Sequence, residues 1–178
     1  MPLAANTSDT VRLFLALWPN QRVRDALAEN RNAWDWGRGA ILIQPGTFHL
    51  TVRFIGAVPR NRLPQLQAEV AVPVVSFPSF SLSLDEAELW PRGIAVLRPH
   101  LTPAALRELH GALGQALQRC GIETEDREFR PHVTLARRAV GSVLPASMPA
   151  IDWHVSAYAL VESMHTAPGY YRVIQCYA

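Results

Sequence analysis

Lysine is absent: all 17 basic residues of this 178-residue chain are arginine. That excludes a P-loop lysine on nucleotide phosphates, a Schiff base with a carbonyl substrate, and the lysyl-adenylate of an ATP-driven ligase. Cysteine is scarce as well. Cys120 and Cys176 are too few for a disulfide framework, and no Cys-x-x-Cys or His-x-x-x-His pair offers a zinc site. Long apolar runs are missing. Leu13 to Trp18 is far too short to span a bilayer, and the N-terminus lacks the charged and apolar regions of a signal peptide. The expectation is a soluble, cytoplasmic protein with no membrane partner. Net charge is also low, at +2. It is too weak for sequence-independent duplex binding, yet it suits a small anionic substrate held by a few placed arginines.

What is present is apolar: 49% of the residues are hydrophobic and 18% charged, ample core material without the signature of disorder. The length suits one compact domain or two small lobes sharing a core. Residues 1–10 are small and polar and read as a loose leader. Val11 to Leu17, closed by Trp18-Pro19, has the pattern of a buried strand. Asn20 can cap a helix to about Ala33, with Val23, Ala26, Leu27 and Asn30 at helical spacing. Phe48 to Ile55 reads as a strand ended by Gly56 and Pro59, and Leu63 to Val70 as a helix stopped by Pro73. Phe80 to Leu84 alternates with period two, and Ala87–Trp90 with Gly93–Leu97 forms a hairpin about Pro91-Arg92. Thr102, with Pro103 at the first helical position, opens a helix to Arg119 that Gly121 ends. Pro131 to Arg137, Trp153 to Val161 and Tyr170 to Cys176 complete the strands.

A weak internal repeat runs through these elements. Leu13 to Pro19, a helix, then Phe48-His-Leu-Thr-Val52 makes one unit; Ile94 to Pro99, a helix, then Pro131-His-Val-Thr-Leu135 makes the other. Pro19 stands 30 residues before His49, and Pro99 stands 33 before His132. Two similar strand–helix–strand units imply two pseudo-symmetric lobes, each supplying one His-x-Thr strand. Residues i and i+2 of a strand share a face, so His49 sits with Thr51 and His132 with Thr134. Across a cleft, such a set suits a phosphodiester. One imidazole takes a proton from water while the other protonates the departing ribose oxygen. The threonine hydroxyls can donate to the non-bridging oxygens. One His-x-Thr is commonly structural; two at matching places in a repeat point to function.

His49-Leu-Thr-Val-Arg-Phe-Ile-Gly56 and Pro131-His-Val-Thr-Leu-Ala-Arg137 resemble the paired signatures of the two-histidine (2H) phosphoesterase superfamily. Within it, the likeness is to the RNA 2',3'-cyclic phosphodiesterases formerly called 2'-5' RNA ligases. Arg12-Leu-Phe-Leu-Ala-Leu17, Leu160-Val-Glu-Ser163 and Gly169-Tyr-Tyr171 extend it toward both ends. The resemblance implies an α+β, bilobed, pseudo-symmetric fold, with antiparallel sheets lining a central cleft and helices outside. Residues 1–178 then form a single two-lobed domain, expected to act as a monomer. It also implies metal-independent hydrolysis of RNA 2',3'-cyclic phosphate ends to 2'-phosphomonoesters, with no cofactor. The partner is RNA carrying such a terminus, or a small cyclic nucleotide.

By motif position the resemblance makes His49 and His132 the catalytic pair, with Thr51 and Thr134 on the phosphate. It makes Phe54 a stacking surface for the terminal base and Arg137 a phosphate contact. By the same likeness His49 is the acid protonating O3' and His132 the base activating water, although the near-symmetric repeat does not break that tie. Phe54 and Arg137 each stand five residues past their histidine, so a straight strand would turn them away. A bulge or strand end is required. Arg138 could substitute for Arg137, and Arg130, sharing the face of His132, is a further phosphate-binding candidate. Val52 and Arg53 depart from the family's usual leucine and small or apolar residue, and Arg53 is expected on the cleft rim. His100, His110, His154 and His165 are expected to be structural, and Glu123 to Glu128 to be a solvated loop. Two rival readings remain: reversible 2'-5' RNA ligation to a 5'-hydroxyl, and a non-catalytic RNA-end binding module.

Overall fold

Along the first strand, β1 (Thr10–Leu17), Val11, Leu13, Leu15 and Leu17 alternate with Arg12, Phe14 and Ala16. In the computed structural model, which describes residues 9–73, 77–125, 127–164 and 170–178, this alternation separates two layers. The valine and leucines are buried in the main core. Phe14 and Ala16 join a smaller cluster on the opposite face, with Ala159 and Val161. Residues 1–8 of the expected leader lie outside the described residues. Asp9 and Thr10 are not loose, because Thr10 opens β1 and the Arg60 N–H donates to the Asp9 carbonyl at 2.9 Å.

Helix α1 (Gln21–Asn32) is capped as its sequence predicts, with the Val23 N–H donating to Asn20 Oδ1 at 3.0 Å. Strands β2 (Ile41–Leu42) and β3 (Leu50–Pro59) follow, then α2 (Leu63–Ala71), β4 (Phe80–Leu84), and the hairpin β5 (Glu86–Trp90) with β6 (Ile94–Arg98). Helix α3 (Ala104–Arg119) buries Leu106, Leu109, Leu113 and Leu117 on one stripe. Pro103 takes its capping position rather than its first turn. Gly121, at φ 68°, ends α3 while the Ile122 N–H returns to the Leu117 carbonyl at 3.0 Å. Strands β7 (Val133–Arg137), β8 (Ile151–Val155), β9 (Tyr158–Ser163) and β10 (Tyr171–Tyr177) complete the chain.

The main sheet is antiparallel, in the order β10-β9-β1-β3-β7-β6-β5, with β2 also on β7; β4 and β8 form a separate pair. The repeat is thereby realised: β9-β1-β3 mirrors β5-β6-β7 about the central β3/β7 junction. Each helix crosses over, α1 packing against β7 and β8, and α3 against β3 and α2.

Two further sequence expectations are corrected. The strand expected at Phe48–Ile55 starts at Leu50 and runs past Gly56 to Pro59. Gly56, at φ 85°, bends the strand beside a bulge instead of ending it, since glycine tolerates that conformation without steric cost. The apolar run Trp153–Val161 is two strands, β8 pairing with β4 and β9 with β1. Both segments are buried, so hydrophobicity alone carries no sign of the change of sheet at Ser156-Ala157.

Candidate active site

The two sheet halves meet through one register pair, Leu50 opposite Val133. These are the residues that follow His49 and His132. In an antiparallel pair the residue after one member lies beside the residue before the other. Thr51 is therefore brought next to His132, and His49 next to Thr134. Leu50 and Val133 point into the core and are fully buried, which orients the four polar side chains to the other face.

Each strand then carries a bulge at an equivalent place. Leu15 and Ala16 of β1 pair with Arg53 and Thr51, passing over Val52. Ala95 and Val96 of β6 pair with Ala136 and Thr134, passing over Leu135. One extra residue inverts the alternation beyond it. Val52, Leu135 and Ala136 lie in the core, while the residue five beyond each histidine, Phe54 or Arg137, returns to the histidine's face. His49, Thr51, Phe54, His132, Thr134 and Arg137 consequently line one cleft of about 730 Å³. Phe54 is 54% exposed there, a large ring left uncovered.

Both imidazoles are set alike. His49 Nδ1 lies 2.7 Å from the Thr47 carbonyl, and His132 Nδ1 lies 2.7 Å from the Arg130 carbonyl. A carbonyl only accepts, so each Nδ1 carries the proton and Nε2 is the nitrogen left for chemistry. Burial lowers the pKa of His49; its bond to Thr47 opposes this, and His132 and Arg137 push it further down. Burial likewise lowers His132, opposed by its bond to Arg130, with the positive charges of Arg130, Arg137 and Arg127 adding to the fall. The desolvation at His49 has a visible source. Trp18 stacks on it at 5.7 Å and 8°, Phe14 packs at 5.0 Å, and Tyr171 meets it edge-on at 5.0 Å.

Other expected site residues fall elsewhere. The Arg130 guanidinium does not line this cleft; it lies 4.5 Å above the Trp90 ring and 3.6 Å from Glu88. Its backbone carbonyl holds His132, and its side chain lines the adjoining hollow between a carboxylate and an aromatic face. Arg138, at φ 53°, turns the chain after β7 and does not line the cleft, so it is no substitute for Arg137. Arg53 is not simply on the rim. The bulge directs it to α3, where its Nε–H donates to the His110 carbonyl at 3.0 Å and its guanidinium lies over Gly114. Glu123, Glu125 and Arg127 are exposed, as a solvated loop requires, and also border the cleft, with Glu125 and Arg127 paired at 2.5 Å.

Among the remaining histidines, the His100 N–H donates to Asp85 Oδ1 at 2.7 Å, and His154 lies exposed on β8. His165 and Gly169 are outside the described residues. His110 is less bland than expected, stacked at 4.0 Å on Phe129 in a neighbouring hollow. Sequence reasoning also missed Arg12 and Phe14. Their alternation with the β1 leucines was the signal that could have placed them on the cleft face. Trp90 had no such signal, for it reaches His132, 4.5 Å away, through two strand pairings. Among the described residues, no group of three or more His, Cys, Asp or Glu side chains is placed to hold a metal ion.

The sequence model of the 2'-5' RNA ligase superfamily matches residues 44–166. The RNA 2',3'-cyclic phosphodiesterase of Thermus thermophilus is 31% identical over 172 residues, spanning 86% of this chain and 82% of its own. That of Escherichia coli is 29% identical over 157 residues, spanning 87% of this chain and 85% of its own. The crystal structure of Escherichia coli LigT in apo form matches with a TM-score of 0.80 at 24% identity, covering 96% of this chain and 98% of that one.

Proposed function

This chain belongs to the 2'-5' RNA ligase superfamily, and on that footing we propose that it hydrolyses RNA 2',3'-cyclic phosphate ends to 2'-phosphomonoesters, without a metal. The observation that carries the reading is the matched pair of imidazoles. Each has its Nδ1–H held by the carbonyl two residues earlier, and each serves one cleft beside the other strand's threonine. A pair able to trade one proton between two nitrogens supplies both halves of a general acid–base displacement. A binding module would need no second titrating group.

In this reading the His132 Nε2 lone pair takes a proton from water as the water oxygen bonds to phosphorus. The P–O3' bond breaks, and the His49 Nε2–H gives its proton to O3'. The products are a 3'-hydroxyl and a 2'-phosphate. Thr51 and Thr134 donate hydrogen bonds to the non-bridging oxygens, the Arg137 guanidinium balances their charge, and Phe54 offers its uncovered ring to the terminal base. The two acid–base roles are distinguished with a p-nitrophenyl phosphodiester, whose leaving group needs no proton. There His49→Ala recovers much of its deficit and His132→Ala does not; the opposite pattern reverses the assignment.

The test of the function is an RNA oligomer ending in a 2',3'-cyclic phosphate, incubated in excess chelator, with the terminal product identified. The expected product is a 2'-phosphate. Chelator inhibition relieved by zinc or manganese, or no turnover at all, overturns the reading.

A further inference from the structure

Past His132 the cleft continues into a second hollow of about 580 Å³. Thr51, Phe54, His132 and Arg137 line both spaces, so the two are continuous. The walls of the second are two stacked planes. One is the Arg130 guanidinium 4.5 Å above Trp90; the other is His110 against Phe129, at 4.0 Å and 10°. Both are held from behind. Glu88 accepts from the Trp90 indole N–H and from Arg98 Nε at 2.7 Å, while lying 3.6 Å from Arg130. The His110 carbonyl accepts from Arg53. Burial and the Arg53 charge lower the His110 pKa to about 4, so at neutral pH its ring is an uncharged plane. Arg127 also lines both spaces.

We infer that this hollow is a second nucleoside subsite, the base lying against the Trp90–Arg130 and Phe129–His110 walls and its linking phosphate near Arg127 and Arg130. Flat aromatic and guanidinium faces beside a basic channel hold nucleobases with little regard to sequence. The inference rests on the proposed cleavage between His49 and His132, because that reaction puts the cyclic phosphate at the mouth of the hollow. The nucleoside can come from two sources. It is the 5' neighbour of the cyclic nucleotide, or it is a 5'-hydroxyl nucleoside standing where water stands.

The test compares a dinucleotide ending in a 2',3'-cyclic phosphate with the mononucleoside cyclic phosphate, in the native chain, Phe129→Ala and Arg130→Ala. If the 5' neighbour occupies the subsite, the native kcat/KM favours the dinucleotide by about tenfold or more, as one stacked base implies, and each variant shrinks that ratio toward one. In a second arm, a 5'-hydroxyl dinucleotide is added to the mononucleoside cyclic phosphate. If the acceptor occupies the subsite, it competes with hydrolysis or yields joined product in the native chain, and does so less in the variants. The inference is overturned if neither arm shows an effect, or if an effect survives undiminished in both variants. Lack of turnover with every substrate overturns the proposed hydrolysis instead. The subsite is then judged by calorimetric affinities of a nucleoside 2'-phosphate and its dinucleotide, where equal values in the native chain overturn it.

Discussion

His49 and His132 share one predicament: each is desolvated, near arginine, and tethered at Nδ1. With both pKa values lowered, the free enzyme near neutrality holds two neutral imidazoles, yet turnover needs one of them charged. The kcat/KM profile, which reports the free enzyme, is expected to be a bell with its maximum on the acid side of the ordinary imidazole pKa of about 6.5. A bound phosphodiester anion favours imidazolium, so the kcat profile lies at higher pH than the kcat/KM profile. Coincident profiles centred above neutrality would contradict this electrostatic picture. The threonines carry a separate prediction. Thr51→Val and Thr134→Val keep shape and strand preference while deleting the hydroxyl. Each is expected to cost roughly 2–4 kcal/mol of transition-state stabilisation, read as a fall in kcat with little change in melting temperature. Unchanged rates in both variants would leave the hydroxyls without a catalytic part.

The paired bulges at Val52 and Leu135 explain how one short strand presents the proposed catalytic and recognition side chains together. Regular pairing serves positions 0 and +2; the bulge adds position +5. On the far side of β3, α3 supplies the support, with Leu106, Leu109, Leu113 and Leu117 buried beneath the sheet. Leu113 is fully buried. Leu113→Ala is expected to destabilise the fold by about 2–5 kcal/mol through the cavity it leaves, seen as a lower denaturation midpoint. Turnover per folded molecule should hold, since Leu113 does not line the cleft. Loss of activity without loss of stability would mean that α3 sets the active geometry directly.

Crossed packing ties the halves together: α1, from the first repeat, lies against β7 and β8, and α3, from the second, lies against β3. Neither half can open its core without exposing the other's. A single calorimetric unfolding transition is therefore expected, its calorimetric and van't Hoff enthalpies agreeing; two resolved transitions would show the lobes to be independent. Acid should weaken it. His110 has a folded pKa of about 4 against the ordinary imidazole value of 6.5, lowered by burial and Arg53, and His49 and His132 shift the same way. Between those two pH values the unfolded chain binds the extra protons. The stability that His110 contributes is thus complete above about 6.5 and is lost as pH falls toward 4, and the two site histidines act in the same direction. A midpoint that stays flat across this window would remove burial as the cause of the shifts.

Period-two alternation, the Asn20 cap, the Gly121 stop and the doubled His-x-Thr were readable from the chain, because each depends on neighbours a few residues away. They set the elements, the repeat, and the pairing of each histidine with its threonine. The flanking motifs could name Phe54 and Arg137 only by resemblance, since local periodicity placed them on the wrong face. The bulges that correct this arise from pairing with β1 and β6, partners distant in sequence. The division of Trp153–Val161 between two sheets was hidden for a similar reason: a residue buried against one sheet looks the same, in sequence, as one buried against another. The fate of the arginines was settled last, by the folded chain. Arg53 went to α3 and Arg130 to Trp90 and Glu88, while Arg137 was left to the cleft. A guanidinium on a long side chain goes to whichever carboxylate, carbonyl or ring the fold brings within reach.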